Sequence, residues 1–247
     1  MQYRLNNATI TLKCRIVIID DYDLRFINTI LLSNRPFTLS ENIMNQGNLY
    51  IISAPSGAGK TSLVKELIAT MDHLIVSVSH TTRKAREGEI DGKDYFFVGL
   101  DKFHEMEDKN EFLESALVFG NFYGTAQETV NQNLAQGKDV ILEIDWQGAR
   151  QIRQLIPETR SIFILPPSID ILRARLEGRN KDDEEVIAKR MQCAVTEMSH
   201  YLEFDYVVVN DDFNQALHAL NSIITANRLT QQRQSPVLQP LLSKLLA

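Results

Sequence analysis

Leu49-Tyr50-Ile51-Ile52-Ser53-Ala54-Pro55-Ser56-Gly57-Ala58-Gly59-Lys60-Thr61 is the stretch on which the reading of this 247-residue chain turns. A short apolar run of buried-strand type leads into a loop of small residues. Lys-Thr follows, and then apolar positions at helical spacing (Leu63, Leu67, Ile68). Strand, small-residue loop and helix in this order form a phosphate-binding loop. Backbone N–H groups at a helix N-terminus can surround a polyanion when no side chain blocks the approach. Gly57 and Gly59 leave that approach open. The residues expected around a nucleoside triphosphate are Ala54, Pro55, Ser56, Gly57, Ala58, Gly59, Lys60, Thr61 and Ser62. Lys60 is expected to reach the β- and γ-phosphates, and Thr61 to place its hydroxyl on Mg²⁺. Ala54 stands where such loops usually begin with Gly. The loop specifies a triphosphate and leaves the reaction open.

Working outward, Leu74–Ser79, Val140–Ile144, Ser161–Leu165 and Tyr206–Val209 repeat the short buried-strand pattern of Leu49–Ala54. Helical patterns lie between several of them, at Lys60–Met71, Trp146–Leu155, Ser168–Glu177 and Phe213–Arg228. Such alternation predicts an α/β fold whose parallel sheet is flanked by helices on both faces. Residues 81–128 interrupt it with short strands, turn signals at Gly88 and Asp91-Gly92, and two short helical patterns, the mark of an insertion. Residues 44–230 are read as the folded domain. Residues 1–43 show no clear period and read as an extension, a stretch upstream of the native start or an extra packed element. The tail 231–247 carries Leu238, Leu241, Leu242, Leu245 and Leu246, a pattern compatible with a terminal helix.

Composition narrows the partners. Lys plus Arg number 26 and Asp plus Glu 32, a formal net charge of −6. That argues against a nucleic-acid coat or a polybasic membrane binder while leaving room for a local basic pocket. Cys14 and Cys193 are the two cysteines, and no C-x-x-C pair exists. A disulfide scaffold and a thiolate zinc site are therefore not expected, and the chain fits a reducing cytosol. No apolar run approaches the roughly 18 residues of a membrane helix. Ile16–Ile19 is followed at once by Asp20, Asp21 and Asp23, a poor signal peptide.

A second anionic site follows the second strand, at Ser79-His80-Thr81-Thr82-Arg83-Lys84-Ala85-Arg86. Two guanidinium forks three residues apart can grip a phosphate, and Gly88 to Tyr95 delivers a phenol beside them. Alone, this stretch reads equally as a solvated loop with surface arginines. Together with the phosphate-binding loop, S-x-S-H-T-T-R-x-x-R-x-G-E-x-x-G-x-x-Y-x-F resembles the guanylate kinase family, the bacterial enzymes most closely. Further matches occur in order: Glu111–Glu114, Gly120-Asn121-Phe122-Tyr123-Gly124-Thr125, Ile144–Gly148, Ile164–Ser168, Arg175–Arg179 and Val209–Asp212. The resemblance runs from about Gly47 to about Arg228.

The resemblance implies a P-loop NTPase-like core with an inserted GMP-binding segment at 81–128 and a helical lid at 173–190. It implies the reaction ATP + GMP → ADP + GDP with Mg²⁺, a step of purine nucleotide metabolism and GMP recycling. Carried over position by position, Arg83, Arg86, Tyr95 and Tyr123 hold the GMP phosphate. Ser79, Glu114, Thr125 and Asp145 read guanine. The chemistry fits, because guanine offers N1–H and N2–H₂ donors together and one carboxylate accepts from both, whereas adenine presents an acceptor there. Taken alone, Glu114 reads as an exposed helix acid. The family usually has Asp where this chain has Glu143, which leaves Asp145 as the firmer carboxylate of that strand end.

Arg173, Arg175, Arg179, Lys181, Lys189 and Arg190 cluster in the lid segment. Arg175, Arg179 and Arg190 are assigned, with Lys60 and Arg83, to the charge that spreads during transfer. Asn210 matches a position near the family's adenine site, and it reads alternatively as a strand-end turn. Asp182 or Asp183 is read as the cap of the helix that follows. The expected partners are thus the small molecules ATP and GMP, with no nucleic acid and no membrane, a cytoplasmic location, and homo-oligomerisation left open. The competing class is a non-catalytic guanylate-kinase-like binding module. Such modules have degraded phosphate loops, and the intact Gly57-x-Gly59-Lys60-Thr61 speaks against that reading.

Overall fold

The computed structural model describes residues 46–178 and 184–247. The readings made for residues 1–43, Arg179, Lys181, Asp182 and Asp183 lie outside the described residues.

Five parallel strands form the central sheet, in the order β2-β7-β1-β8-β9: β1 (Leu49–Ser53), β2 (Leu74–Val76), β7 (Asp139–Leu142), β8 (Arg160–Leu165) and β9 (Tyr206–Val209). β1 lies in the middle and is buried along its whole length, as a continuous apolar run on a doubly covered sheet must be. Tyr50 and Ile52 of β1 pack with Ile141, Ile162 and Ile164 against Leu63 and Leu67 of α1 (Lys60–Thr70) and Leu220 and Ile224 of α7 (Phe213–Arg228). Each of these fully buried side chains stabilises the fold by roughly 1.5–3 kcal/mol relative to exposure. Ile51 points to the opposite face, where α4 (Trp146–Leu155) buries Ile152.

The seam between sheet and last helices is polar and satisfied. Asp139 accepts from the N–H and side chain of Asn48 at 2.6 and 2.8 Å and from Arg228 Nε at 2.7 Å. The terminal segment forms α8 (Gln231–Leu245), with Val237, Leu241 and Leu245 exposed. None of the helices among the described residues is long and apolar enough to cross a membrane.

The interruption read in the sequence is a second sheet, ordered β4-β3-β6-β5, built from β3 (His80–Thr81), β4 (Phe96–Phe97), β5 (Phe112–Val118) and β6 (Asn121–Ala126). α2 (Leu100–Asp108) precedes β5 and α3 (Gln127–Ala135) follows β6. The strand expected over Leu74–Ser79 ends at Val76. Ser77 N still bonds Ile141 O at 2.9 Å, but the chain then leaves the central sheet, and His80 and Thr81 pair antiparallel with Gly124 and Tyr123. β5 and β6 form a hairpin whose turn places Phe119 at φ 49° and Gly120 at φ 76°. Two successive positive φ values are the turn that matches strand twist. α5 (Ile169–Glu177) and α6 (Glu184–Met198) follow β8. Leu172, Leu176 and Ala194 form a small core between them.

Candidate active site

The loop between β1 and α1 turns on a hydrogen bond from Ala58 N to Pro55 O, 3.1 Å, with Gly57 and Gly59 both at φ 91°. Neither glycine tolerates a side chain: a Cβ on Gly57 would meet Leu172 and Leu176, and one on Gly59 would lie 2.4 Å from Asn210 Nδ2. α4, α5 and α7 are capped by the side chains of Asp145, Ser168 and Asp212. α1 begins at Gly59 with no side-chain cap, so its leading N–H groups face the loop's interior. Thr61 and Ser62 are exposed in its first turn. Lys60 Nζ lies 3.8 Å from Glu143 Oε2.

Asn210, at the end of β9, is buried beneath this loop and donates to Ala58 O at 2.7 Å. Arg175 donates to Asn210 O at 3.1 Å, and its Nη1 is buried with no hydrogen-bond partner among the described residues. These residues, with Gly57, Gly59, Ser62, Gly178, Asp211 and Phe213, line a cleft of about 390 Å³ beside the loop. From α6, Arg190 reaches Ser56 Oγ at 3.4 Å and Glu197 accepts from Ser56 N at 3.2 Å.

In and beside the second sheet lie the residues expected to bind a second nucleotide. Arg83 makes a two-point pair with Glu89, Nη1 to Oε2 at 2.9 Å and Nη2 to Oε1 at 2.8 Å. Its guanidinium lies over the rings of Tyr95 and Phe97 at 5.3 and 5.6 Å. That pair holds Glu89 below the usual carboxylate range, with the N–H of Arg86 and the charges of both arginines adding to it. Arg86 itself is exposed. Tyr95 and Tyr123 meet edge to face, centroids 5.9 Å apart. Burial first, then Tyr123 and Glu143, push the Tyr95 phenol up to about 12.

Glu114 is not on a helix and not exposed. It sits in β5, 4% exposed, opposite Thr125 of β6, whose hydroxyl donates to Oε1 at 2.6 Å. No Lys or Arg among the described residues pairs with it. Burial raises its pKa to about 7, opposed by the Thr125 hydroxyl and reinforced by Asp145. Ser79 is buried close by in sequence, just before β3. Asp145 caps α4 by accepting from Gln147 N and Gly148 N at 3.1 and 3.0 Å.

Asp145 is felt by both Glu114 and Glu197, Lys60 by Glu197, and Glu143 by Tyr95. Three residues of this cleft carried no role in the sequence reading. Glu89 stands in the quoted R-x-G-E motif, so its pairing with Arg83 had a visible signal. Gly148 closes the motif Ile144–Gly148, and a Cβ there would lie 2.5 Å from Glu114 Oε2. Glu197 follows Arg190 by seven positions, two turns along the same face of α6.

Comparison with known proteins agrees with this architecture. The family model described as guanylate kinase matches residues 46–227. Guanylate kinase of Escherichia coli strain K12 is 59% identical over 206 residues, covering 83% of this chain and 100% of that protein. The Methylococcus capsulatus guanylate kinase is 58% identical over 203 residues, covering 82% and 100%. The crystal structure of guanylate kinase from Anaplasma phagocytophilum superposes with a TM-score of 0.65 at 34% identity, over 76% of this chain and 90% of that one. A phosphate loop on a parallel sheet, a second sheet with a buried carboxylate, and a family match across both carry one conclusion: the chain belongs to the guanylate kinase family.

Proposed function

We propose that the chain moves the γ-phosphoryl group of ATP to GMP, giving ADP and GDP, with ATP on the Ala54–Ser62 loop and GMP on the second sheet. The observation that carries the assignment of the acceptor base is Glu114. A carboxylate buried beside a hydroxyl, with no cation paired to it, is costly to fold. It is suited to a ligand that brings two adjacent N–H donors, as guanine does. Ser79, Thr125 and Asp145 complete the base site in this reading. Arg83, held rigid by Glu89, with Arg86, Tyr95 and Tyr123, takes the GMP phosphate.

Transfer needs no side-chain nucleophile. A GMP phosphate oxygen, already anionic, forms the new bond to the γ-phosphorus as the bond to the ADP oxygen breaks. The chain's part is positioning and charge neutralisation. Lys60 serves the β- and γ-phosphates, and Arg83 the acceptor. Arg175, whose Nη1 has no hydrogen-bond partner among the described residues, and Arg190 serve the equatorial oxygens. Arg179 is proposed for the same work from the sequence.

Mg²⁺ bound with ATP supplies further neutralisation of the phosphate oxygens. No cluster of three or more His, Cys, Asp or Glu fit for a metal exists among the described residues. That suits an ion held chiefly by phosphate oxygens and water. The exposed Thr61 hydroxyl in the first turn of α1 is the protein ligand this reading names.

A coupled ADP-release assay over GMP, AMP, CMP and UMP tests the proposal. Turnover with GMP at least about a hundredfold above AMP is expected, from the penalty for unpaired buried polar groups. Equal turnover with AMP would remove the guanine assignment.

A further inference from the structure

Glu197 has no part in the mechanism just given, yet it occupies the mechanism's most valuable ground. Its carboxylate accepts from the N–H of Ser56, inside the loop that is proposed to hold a triphosphate. Seven residues earlier on α6, Arg190 reaches the hydroxyl of the same Ser56. One helix therefore holds one loop residue at two points, with a cation on its oxygen and an anion on its amide. The anion lies where Lys60 and Asp145 both act on it electrostatically. An N–H of this loop is suited to a phosphoryl oxygen, and burial first, then Asp145, disfavour a charged side-chain carboxylate there.

We propose that Glu197 is an internal stand-in for the terminal phosphate of ATP. It occupies the Ser56 amide while the loop holds no triphosphate and is displaced when the γ-phosphate arrives. The proposal rests on the assignment of ATP to the Ala54–Ser62 loop. Two anions cannot share one N–H, so ATP must expel the carboxylate. Because Glu197 and Arg190 ride on the same helix, its departure frees α6 to present Arg190 to the phosphate. The terminal phosphate thus signals its own arrival to α6. AMP has no phosphate that extends to Ser56 and triggers nothing.

The test uses the full chain and its Glu197→Gln variant, which keeps the shape and removes the charge. Calorimetry with the non-hydrolysable analogue AMPPNP and Mg²⁺ is expected to give Kd roughly three- to tenfold lower in the variant, the scale of one charge-assisted hydrogen bond no longer in competition. AMP affinity stays the same. In steady state the KM for ATP falls by a similar factor and the KM for GMP does not move, a split that a merely structural residue would not produce.

A second measurement needs no variant. In the ¹⁵N-labelled chain without nucleotide, the Ser56 amide resonance should follow the titration of the carboxylate that accepts from it. Burial raises the pKa of that carboxylate, the Ser56 amide lowers it, and Asp145 and Lys60 are the charges that act on it. AMPPNP affinity unchanged or weaker in the variant overturns the proposal, as does equal tightening of AMP or a Ser56 amide indifferent to pH. Failure of the wild-type chain to bind AMPPNP at all would instead overturn the ATP assignment beneath it.

Discussion

At the scale of single residues, the candidate site is a set of buried or paired charges. Glu114 is the sharpest case. Its pKa is raised to about 7, chiefly by burial. A carboxyl raised above its unfolded value stabilises the fold while protonated, and that contribution is lost as pH rises through about 7. Guanine donors favour the ionised form, so GMP binding at neutral pH should expel protons, and GMP affinity should fall as pH drops below about 7. Calorimetry in two buffers of different ionisation enthalpy reads the proton release, with Glu114→Gln as the control for protons carried by the GMP phosphate. The same variant should melt higher than wild type at pH 8, and the gap should close in acid. A variant that melts lower at alkaline pH would show that the carboxylate is not strained in the free protein.

Lys60 makes the complementary prediction. It is half-buried beside Glu143 and belongs to no core cluster. Lys60→Ala should lower kcat by roughly a thousandfold, the upper range for one electrostatic group. Its melting temperature should stay near that of wild type. Near-native turnover would remove Lys60 from the transfer step.

At the scale of elements, what was legible in the sequence follows from how local each signal is. The loop could be read because its chemistry lies in consecutive residues. Strand, small residues, Lys-Thr and helix are all dictated by short-range needs, and the structure reproduces that order from Leu49 to Thr70. The helices Trp146–Leu155 and Phe213–Arg228 were legible to the residue from their patterns, and the structure caps them with Asp145 and Asp212. Of the second sheet, only the presence of short strands within 81–128 was legible, and not their pairing. β3 and β4 have two residues each, too short for any period to show, and the pairing of β3 with β6 bridges some forty positions. The burial of Glu114 in a strand was hidden for the same reason, and its assignment came from the resemblance alone. A lone acid between Leu113 and Ser115 carries no local sign of burial, and only the hairpin partner Thr125 explains it.

Gly148 belongs to this scale, because its role exists only between α4 and β5. A Cβ there would lie 2.5 Å from Glu114 Oε2. In an isolated helix, Gly→Ala stabilises by roughly 1 kcal/mol. Here Gly148→Ala should raise the KM for GMP by about tenfold or more through displacement of Glu114, with the KM for ATP unchanged. A variant with normal GMP kinetics would mean that Glu114 can shift without consequence.

At the scale of the molecule, the proposed design is two polyanion sites held on separate sheets of one chain. The loop site stands on the central sheet, in which β1 and β7 are neighbours, and the acceptor site stands on the second sheet, inserted between β2 and β7. Asp145, Glu143 and Lys60, at the ends of those two neighbouring strands, connect the sites electrostatically. If the sites face each other, a molecule that joins adenosine to guanosine through five phosphates occupies both at once. Each half then raises the other's effective concentration to the millimolar range. Ligand at a hundred times its Kd stabilises the folded chain by about 2.7 kcal/mol, which for a domain of this size is a rise of roughly 5–10 °C in Tm. The linked compound should reach that rise at a concentration at least tenfold below that needed by ATP and GMP together, and differential scanning fluorimetry across a concentration series measures it. A linked compound no better than the stronger of its two halves would place the sites too far apart for direct transfer, and would leave the parallel sheet and its insertion as two binding modules instead of one enzyme cleft.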